Sequence, residues 1–213
     1  EELGYLPDAM VNFLARLGWA HGDDEVFTRE QFVAWFDLDG ISPAPSRFNA
    51  DKLRWVNQEH LKRTPADELG HRLAPYLRRA GLDPAAGPDP ATVALLLRDR
   101  VATLAEMADA AHYFYATPHP NRETIAQVLD PASRPALAEL ATSFATLDWS
   151  REAIGAEMKA AAARHGLKPA QVMMPMRMLV CGTRETPAID AVLASLGRDR
   201  VRARLATALG AAA

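Results

Sequence analysis

The residues of this chain best suited to chemistry are arginines. Met173-Met174-Pro175-Met176-Arg177-Met178-Leu179-Val180 sets one guanidinium inside an apolar run. Such a group must snorkel, pair with an acid or face a polar ligand, because an unpaired buried charge is very costly. From the run alone, a structural ion pair and a ligand site are equally open. In Leu97-Arg98-Asp99-Arg100-Val101 the two arginines fall about 200° apart on a helix, so they serve different faces, one structural and one for binding. Gly197-Arg198-Asp199-Arg200-Val201-Arg202-Ala203-Arg204-Leu205 carries four more, with Arg198/Arg202 and Arg200/Arg204 each spaced i, i+4. The first expectation for them is a solvated amphipathic face and the second a face that contacts phosphates. Thr186-Pro187 predicts an N-cap with proline at the first helical position, and a helix start also offers N–H groups to a ligand. Tyr113-Phe114-Tyr115 has the rings to stack bases, but fits a core better.

Other chemistries find little support. Counted from Asp37, a calcium loop would need an oxygen ligand at Ile41, glycine at Ser42 and glutamate at Phe48. The segment therefore reads as a solvated turn. The six histidines (21, 60, 71, 112, 119 and 165) show no i, i+4 metal-binding pair. Cys181 follows Met178-Leu179-Val180 and has no neighbouring histidine, which predicts a buried, inert thiol. No glycine-rich phosphate loop, serine elbow or metal-ligand cluster is legible. These readings favour a binding module over an enzyme.

The elements that must position the arginines read almost entirely as helix. Pro7 to Leu17 places Met10, Phe13, Leu14 and Leu17 on one face, and Gly18 ends it. Thr28 caps a helix from Arg29 to Phe36, and Asn49 caps another from Ala50 to Lys62. A loop is expected at Pro43 and Pro45. After Arg63 aromatics thin out and alanine and leucine take over. Helices are expected from Thr64-Pro65 to Arg79, over 91–101 and over 103–115, with Asp83 to Pro90 as a linker or turn. Four or five more follow residue 121, with caps or breaks at Asn121, Asp130-Pro131, Ser150, Gly166, Gly182 and Gly197. No alternating strand is visible, so the fold class is all-α, without a fixed-period repeat.

With 213 residues, 49% hydrophobic and 24% charged, the chain is long enough to bury a sizeable core. The net charge of −3 excludes a simple polycation, so nucleic-acid binding would need local basic patches or specific arginines. Residues 1–63 hold seven Lys/Arg against eleven Asp/Glu, a net of −4, whereas residues 168–213 hold seven against three, a net of +4. The C-terminal end is the attractive one for a polyanion. No stretch approaches 18 consecutive apolar residues, which excludes a transmembrane helix. The acidic Glu1-Glu2 start is unlike a signal peptide, and one cysteine excludes an internal disulfide. The expected compartment is the cytoplasm. Without an initiator Met, and with Gly4-Tyr5-Leu6-Pro7 running at once into a helix, the chain is expected to be cut from a longer one.

Several blocks resemble a known family. Gly4-Tyr5-Leu6-Pro7-Asp8-Ala9-Met10-Val11-Asn12-Phe13-Leu14-Ala15-Arg16-Leu17-Gly18-Trp19 resembles the segment following the second active-site signature of bacterial glutamyl-tRNA synthetases. Phe48-Asn49-Ala50-Asp51-Lys52-Leu53-Arg54-Trp55-Val56-Asn57 resembles the next block. Pro175-Met176-Arg177 through Gly182-Thr183, then Glu185-Thr186-Pro187, resembles the C-terminal signature, and Leu196-Gly197 with its arginine-rich helix also fits. The resemblance spans essentially the whole chain, and its first block is the most specific. It implies a stem-contact region over 1–64 and an α-helical anticodon-binding cage in two parts, 65–117 and 118–213. The related glutaminyl enzymes carry a β-barrel at the anticodon end, which this helical sequence does not match.

The resemblance also implies roles. An arginine matched to Arg100, with Arg98 as the alternative, reads the third anticodon base, and Arg177, Thr186, Pro187 and Ile189 match positions near the first two. Having that arginine makes the chain resemble members that discriminate tRNA-Glu from tRNA-Gln. Phosphates would meet Arg198, Arg200, Arg202 and Arg204. No HIGH-like tetrapeptide or KMSKS-like loop is present, so no catalytic residue, metal or cofactor is expected in this chain. ATP and Mg²⁺ belong to the full-length ligase, whose catalytic domain would lie in cis in a monomer bound to tRNA-Glu. The rival reading is a helical protein–protein interaction module without an RNA role.

Overall fold

The computed structural model describes residues 3–42, 47–119 and 122–211. The loop expected at Pro43 and Pro45 and the cap expected at Asn121 lie outside the described residues. Thirteen α-helices and one short 3-10 turn account for the architecture among the described residues. The only β-type bridge among the described residues is an isolated antiparallel one between Trp19 and Ile41. The all-α class is as the periodicity predicts. No helix among the described residues is long and apolar enough to cross a membrane.

The chain folds as two compact units, residues 1–81 with 89–111, and residues 82–88 with 112–213. These boundaries differ from the divisions expected at 64 and 117. The reason is that Ala50–Arg63 is tied by side-chain hydrogen bonds to residues 99–106, so the helices on both sides of Arg63 share one unit.

The first unit holds α1 (Pro7–Ala15), α2 (Arg29–Trp35), α3 (Ala50–Arg63), α4 (Ala66–Arg79), α5 (Pro90–Leu97) and α6 (Leu104–Ala110). Thr28 and Gln31 form a reciprocal capping box at the start of α2, and Asn49 Oδ1 accepts the Lys52 N–H at the start of α3. Asp89 caps α5 ahead of Pro90, and Thr103 caps α6. The core includes Phe13, Phe27, Leu53, Val56, Leu61, Leu69, Leu73, Leu77 and Met107. Gly70 lets α4 and α5 touch: a Cβ there would stand 2.5 Å from the Ala91 backbone nitrogen.

The second unit holds α7 (His112–Tyr115), α8 (Arg122–Val128), α9 (Arg134–Ser143), α10 (Arg151–Arg164), α11 (Pro169–Cys181), α12 (Ile189–Leu196) and α13 (Arg198–Ala211). The helix expected over 103–115 is thus two helices, broken at Ala111, where the two units meet in sequence. Six helices follow residue 121, one more than the upper expectation. Gly166, Gly182 and Gly197 all take positive φ at breaks that the sequence marks. The core is built on Phe114, Phe144, Ile154, Met158, Val172, Met176 and Leu205. Tyr113, Phe114 and Tyr115 are all buried, so the rings there are core.

Candidate nucleic-acid interface

Arg177 is placed by α11. Around it Val172, Pro175, Met176, Met178, Leu179 and Val180 face inward, while Arg177 itself is half-buried. Gly182 ends the helix in the left-handed conformation, at φ 71°, and a Cβ there would press 2.8 Å from Pro118. The chain then returns so that Thr186, nine residues on, meets Arg177. Arg177 Nε donates to Thr186 Oγ1 at 2.9 Å, and the Thr186 hydroxyl donates to the Pro187 carbonyl at 2.9 Å. Thr186 is buried, and its hydroxyl both accepts and donates. The two terminal nitrogens of Arg177 make no hydrogen bond among the described residues, and no carboxylate pairs with it there.

Thr186 is not the helix cap that its spacing suggests. The cap of α12 is Ala188, without a side-chain bond, and the helix begins at Ile189. The hydroxyl is drawn instead to the nearby guanidinium, a charge-assisted partner stronger than a backbone N–H. Pro187 and Ile189 are buried and form the apolar backing of this corner.

Arg98 and Arg100 lie in the first unit. α5 stops at Leu97, so both fall in the turn that follows, not 200° apart on a helix. Arg98 is the C-cap residue, half-buried, with Nε unpartnered. Arg100 is exposed; its backbone N–H donates to the Leu97 carbonyl at 2.8 Å, and its guanidinium has no partner among the described residues. The turn is fastened by α3 and α6. Asn57 Nδ2 donates to the Ala102 carbonyl at 2.5 Å, Gln58 Nε2 to the Asp99 carbonyl at 3.3 Å, and the Ala102 N–H to Glu106 Oε2 at 2.9 Å.

The four arginines of α13 do something the sequence does not announce: they cap carbonyls. Arg198 donates to Leu147 and Arg202 to Ala141 at 3.4 Å. Arg200 donates to Phe114 at 3.1 Å and Ala86 at 2.8 Å. Arg204 donates to Tyr113 at 2.8 Å, Val180 at 2.8 Å and Ala116 at 3.0 Å. The i, i+4 spacing thus gives two internal clasps. Arg204 is only 5% exposed, which removes it from the phosphate contacts expected of this helix. Burial pushes its guanidinium down to about 10, still charged at neutral pH. Carbonyls at the C-terminal ends of α7 and α11, where helix dipoles present partial negative charge, stand in for a counter-ion. Of the four, Arg202 is the exposed one and has the longest internal bond.

Among the described residues no cluster of three or more His, Cys, Asp and Glu could hold a metal ion. Cys181 is buried, and that burial pushes its thiol up to about 12, so it is no nucleophile. His60 is buried against Asn12 Oδ1 at 2.9 Å, and His21 stacks on Trp35 at 4.2 Å.

The family model described as "Anticodon binding domain" matches residues 68–209, and the one described as "tRNA synthetases class I (E and Q), catalytic domain" matches residues 1–55. The second match falls on the segment whose resemblance implies a stem-contact region. A glutamate–tRNA ligase from Thiobacillus denitrificans is 51% identical over 208 residues, covering 98% of this chain and 44% of that protein. One from Dechloromonas aromatica is 48% identical over 209 residues, covering 98% and 45%. The chain therefore spans less than half the length of these relatives. A crystal structure of a glutamate tRNA ligase from Elizabethkingia meningosepticum superposes with a TM-score of 0.84 at 23% identity, over 97% of this chain and 41% of that one, a likeness of fold.

Proposed function

Since the chain belongs to the anticodon binding domain family, we propose that it is the tRNA-binding part of a glutamyl-tRNA synthetase that discriminates tRNA-Glu from tRNA-Gln. The full-length protein would ligate glutamate to tRNA-Glu with ATP and Mg²⁺, as a cytoplasmic monomer whose remaining catalytic domain lies in cis. The observation that carries this reading is Arg177. It is a half-buried cation with no carboxylate partner among the described residues, its Nε fixed by Thr186 and its terminal nitrogens left for a ligand. Flipped-out anticodon bases supply the acceptors, and Met176 and Met178 the apolar backing.

Arg100 would read the third base. Cytosine presents O2 and N3 as adjacent acceptors on its Watson–Crick edge, and a guanidinium fork offers two donors. Guanine puts N1–H and N2–H donors on that edge, facing donor with donor. A well-formed bidentate contact discriminates by about 1–3 kcal/mol. Arg98 is held half-buried at the helix end, whereas Arg100 stands in solvent, which favours Arg100 as the reader. Phosphate contact falls mainly to Arg202, the exposed member of the α13 set.

Equilibrium binding of an unmodified tRNA-Glu transcript across a salt series tests this. The reading expects affinity that falls steeply and linearly in log–log form, because phosphate contacts release counterions. No binding at low salt, or binding indifferent to salt, overturns it in favour of a protein-interaction module.

A further inference from the structure

We infer that Asn57 is a positioning residue for anticodon discrimination. It hydrogen-bonds the N-terminal segment and the arginine-bearing turn 98–102 at once, so the chain entering at Leu6 sets where Arg100 stands. The inference rests on the reading of Arg100 given above.

Asn57 is 0% exposed on α3. Its Oδ1 accepts the Leu6 N–H at 2.7 Å, and its Nδ2 donates to the Ala102 carbonyl at 2.5 Å. Both ends of a buried carboxamide are thus occupied, and a flip would set donor against donor and acceptor against acceptor. Arg54 and Gln58, spaced i, i+4, share a face of α3 beside the buried Asn57. Gln58 holds the Asp99 carbonyl, and Arg54 pairs at 2.6 Å with Glu106, whose other oxygen takes the Ala102 N–H. The N-terminal segment docks on the same corner: the Leu104 N–H donates to the Gly4 carbonyl at 2.9 Å, and a Cβ on Gly4 would stand 2.5 Å from the Ala105 nitrogen.

Arg100 has no side-chain partner among the described residues, so what the protein fixes there is the backbone from which its guanidinium reaches out. Bidentate selection between two bases requires that backbone to be fixed by a supporting shell. Asn57 is the buried member of that shell, and the one that also grips the chain leading into α1. A shift of residues 4–6 therefore moves Arg100 without touching it.

The test measures affinity of this chain for the tRNA-Glu transcript and for the same transcript with the third anticodon base changed from C to G, with thermal unfolding alongside. Asn57→Asp keeps the acceptor for Leu6 and turns the donor toward Ala102 into an acceptor. Glu106→Ala cuts the other tether of Ala102 from the surface, and decides the matter if Asn57→Asp does not fold. Wild type should prefer the C form about 5- to 150-fold. Each folded variant should lose most of that ratio, with the salt slope of binding kept. A purely structural role would lower the melting temperature, or both affinities together, and leave the ratio intact; that result overturns the inference. A wild-type chain without a preference overturns the Arg100 reading itself, and this inference with it.

Discussion

Arg177 and Thr186 meet through a single 2.9 Å hydrogen bond that uses Nε of the guanidinium and nothing else of it. The hydroxyl in turn donates to the Pro187 carbonyl, and it stands two residues before Ala188, the cap of α12. The consequence is an arginine held by its neck with its head free. Arg177→Gln should cost about 1–3 kcal/mol in tRNA affinity. It should leave the melting temperature nearly unchanged, because the lost nitrogens have no protein partner among the described residues. Thr186→Val should weaken binding in the same direction by releasing Nε. A fall in stability without a fall in affinity would mark the pair as structural.

Arg204 and Arg202 make the opposite pair on α13. Arg204→Met strands the carbonyls of Tyr113, Ala116 and Val180 in the interior and should destabilise the second unit by about 2–4 kcal/mol. Arg204→Lys should not rescue it, since one ammonium cannot span the three acceptors that the planar fork reaches. Arg202→Ala should leave stability within about 0.5 kcal/mol but reduce the salt slope of tRNA binding by about 1. Urea unfolding and a salt titration on the two variants check both halves.

Gly70 is where α4 and α5 come closest. A Cβ at that position lies 2.5 Å from Ala91 N and 2.8 Å from Ala91 Cα, both backbone atoms that cannot swing aside. Gly70→Ala raises helix propensity by about 1 kcal/mol, yet overpacking should outweigh it and leave the protein less stable by about 1–2 kcal/mol. The urea midpoint of the variant gives the sign directly. A stabilised variant would mean the helices separate at no cost.

His60 makes the first unit sensitive to mild acid. Asn12 Oδ1 already accepts the Phe27 N–H, and Asn12 Nδ2 donates to Glu25, so His60 Nε2 must carry the hydrogen it shares with Asn12. Burial holds the imidazole below its ordinary value of 6.5. The unfolded chain then takes up the proton first, so stability is intact above pH 6.5 and falls as pH drops from there toward the depressed folded value. Glu25, held below its ordinary 4.5 by the hydrogen bond from Lys52 and, against the cost of burial, by Arg16, adds a separate loss at lower pH. Urea midpoints at pH 7.5 and 5.5 should differ for the wild type and converge for His60→Gln. An unchanged difference in the variant would assign the effect elsewhere.

Much of this was legible in the amino-acid order. Periodicity and caps such as Thr28, Asn49 and Ser150 place most helices, because each cap satisfies N–H groups that the helix start leaves open. Arg177 in its apolar run announces a guanidinium needing a polar partner. What periodicity does not carry is long-range hydrogen bonding. Nothing local in Asn57 tells that it bridges Leu6 and Ala102, 51 residues back and 45 ahead. Likewise the i, i+4 arginines of α13 read the same whether they face solvent or cap buried carbonyls, since spacing fixes a face and not what covers it. The helix expected to run through Arg100 ends at Leu97 instead, where no glycine or proline marks the stop.

The most direct test of the account is the affinity of this chain for the tRNA-Glu transcript against the transcript with G at the third anticodon position, each measured with wild type and with Arg100→Gln. The C form should bind tighter by about 1–3 kcal/mol, and Arg100→Gln should erase that gap with the affinity for the G form little changed. Equal binding of the two transcripts by the wild type, or a gap that survives Arg100→Gln, would contradict it.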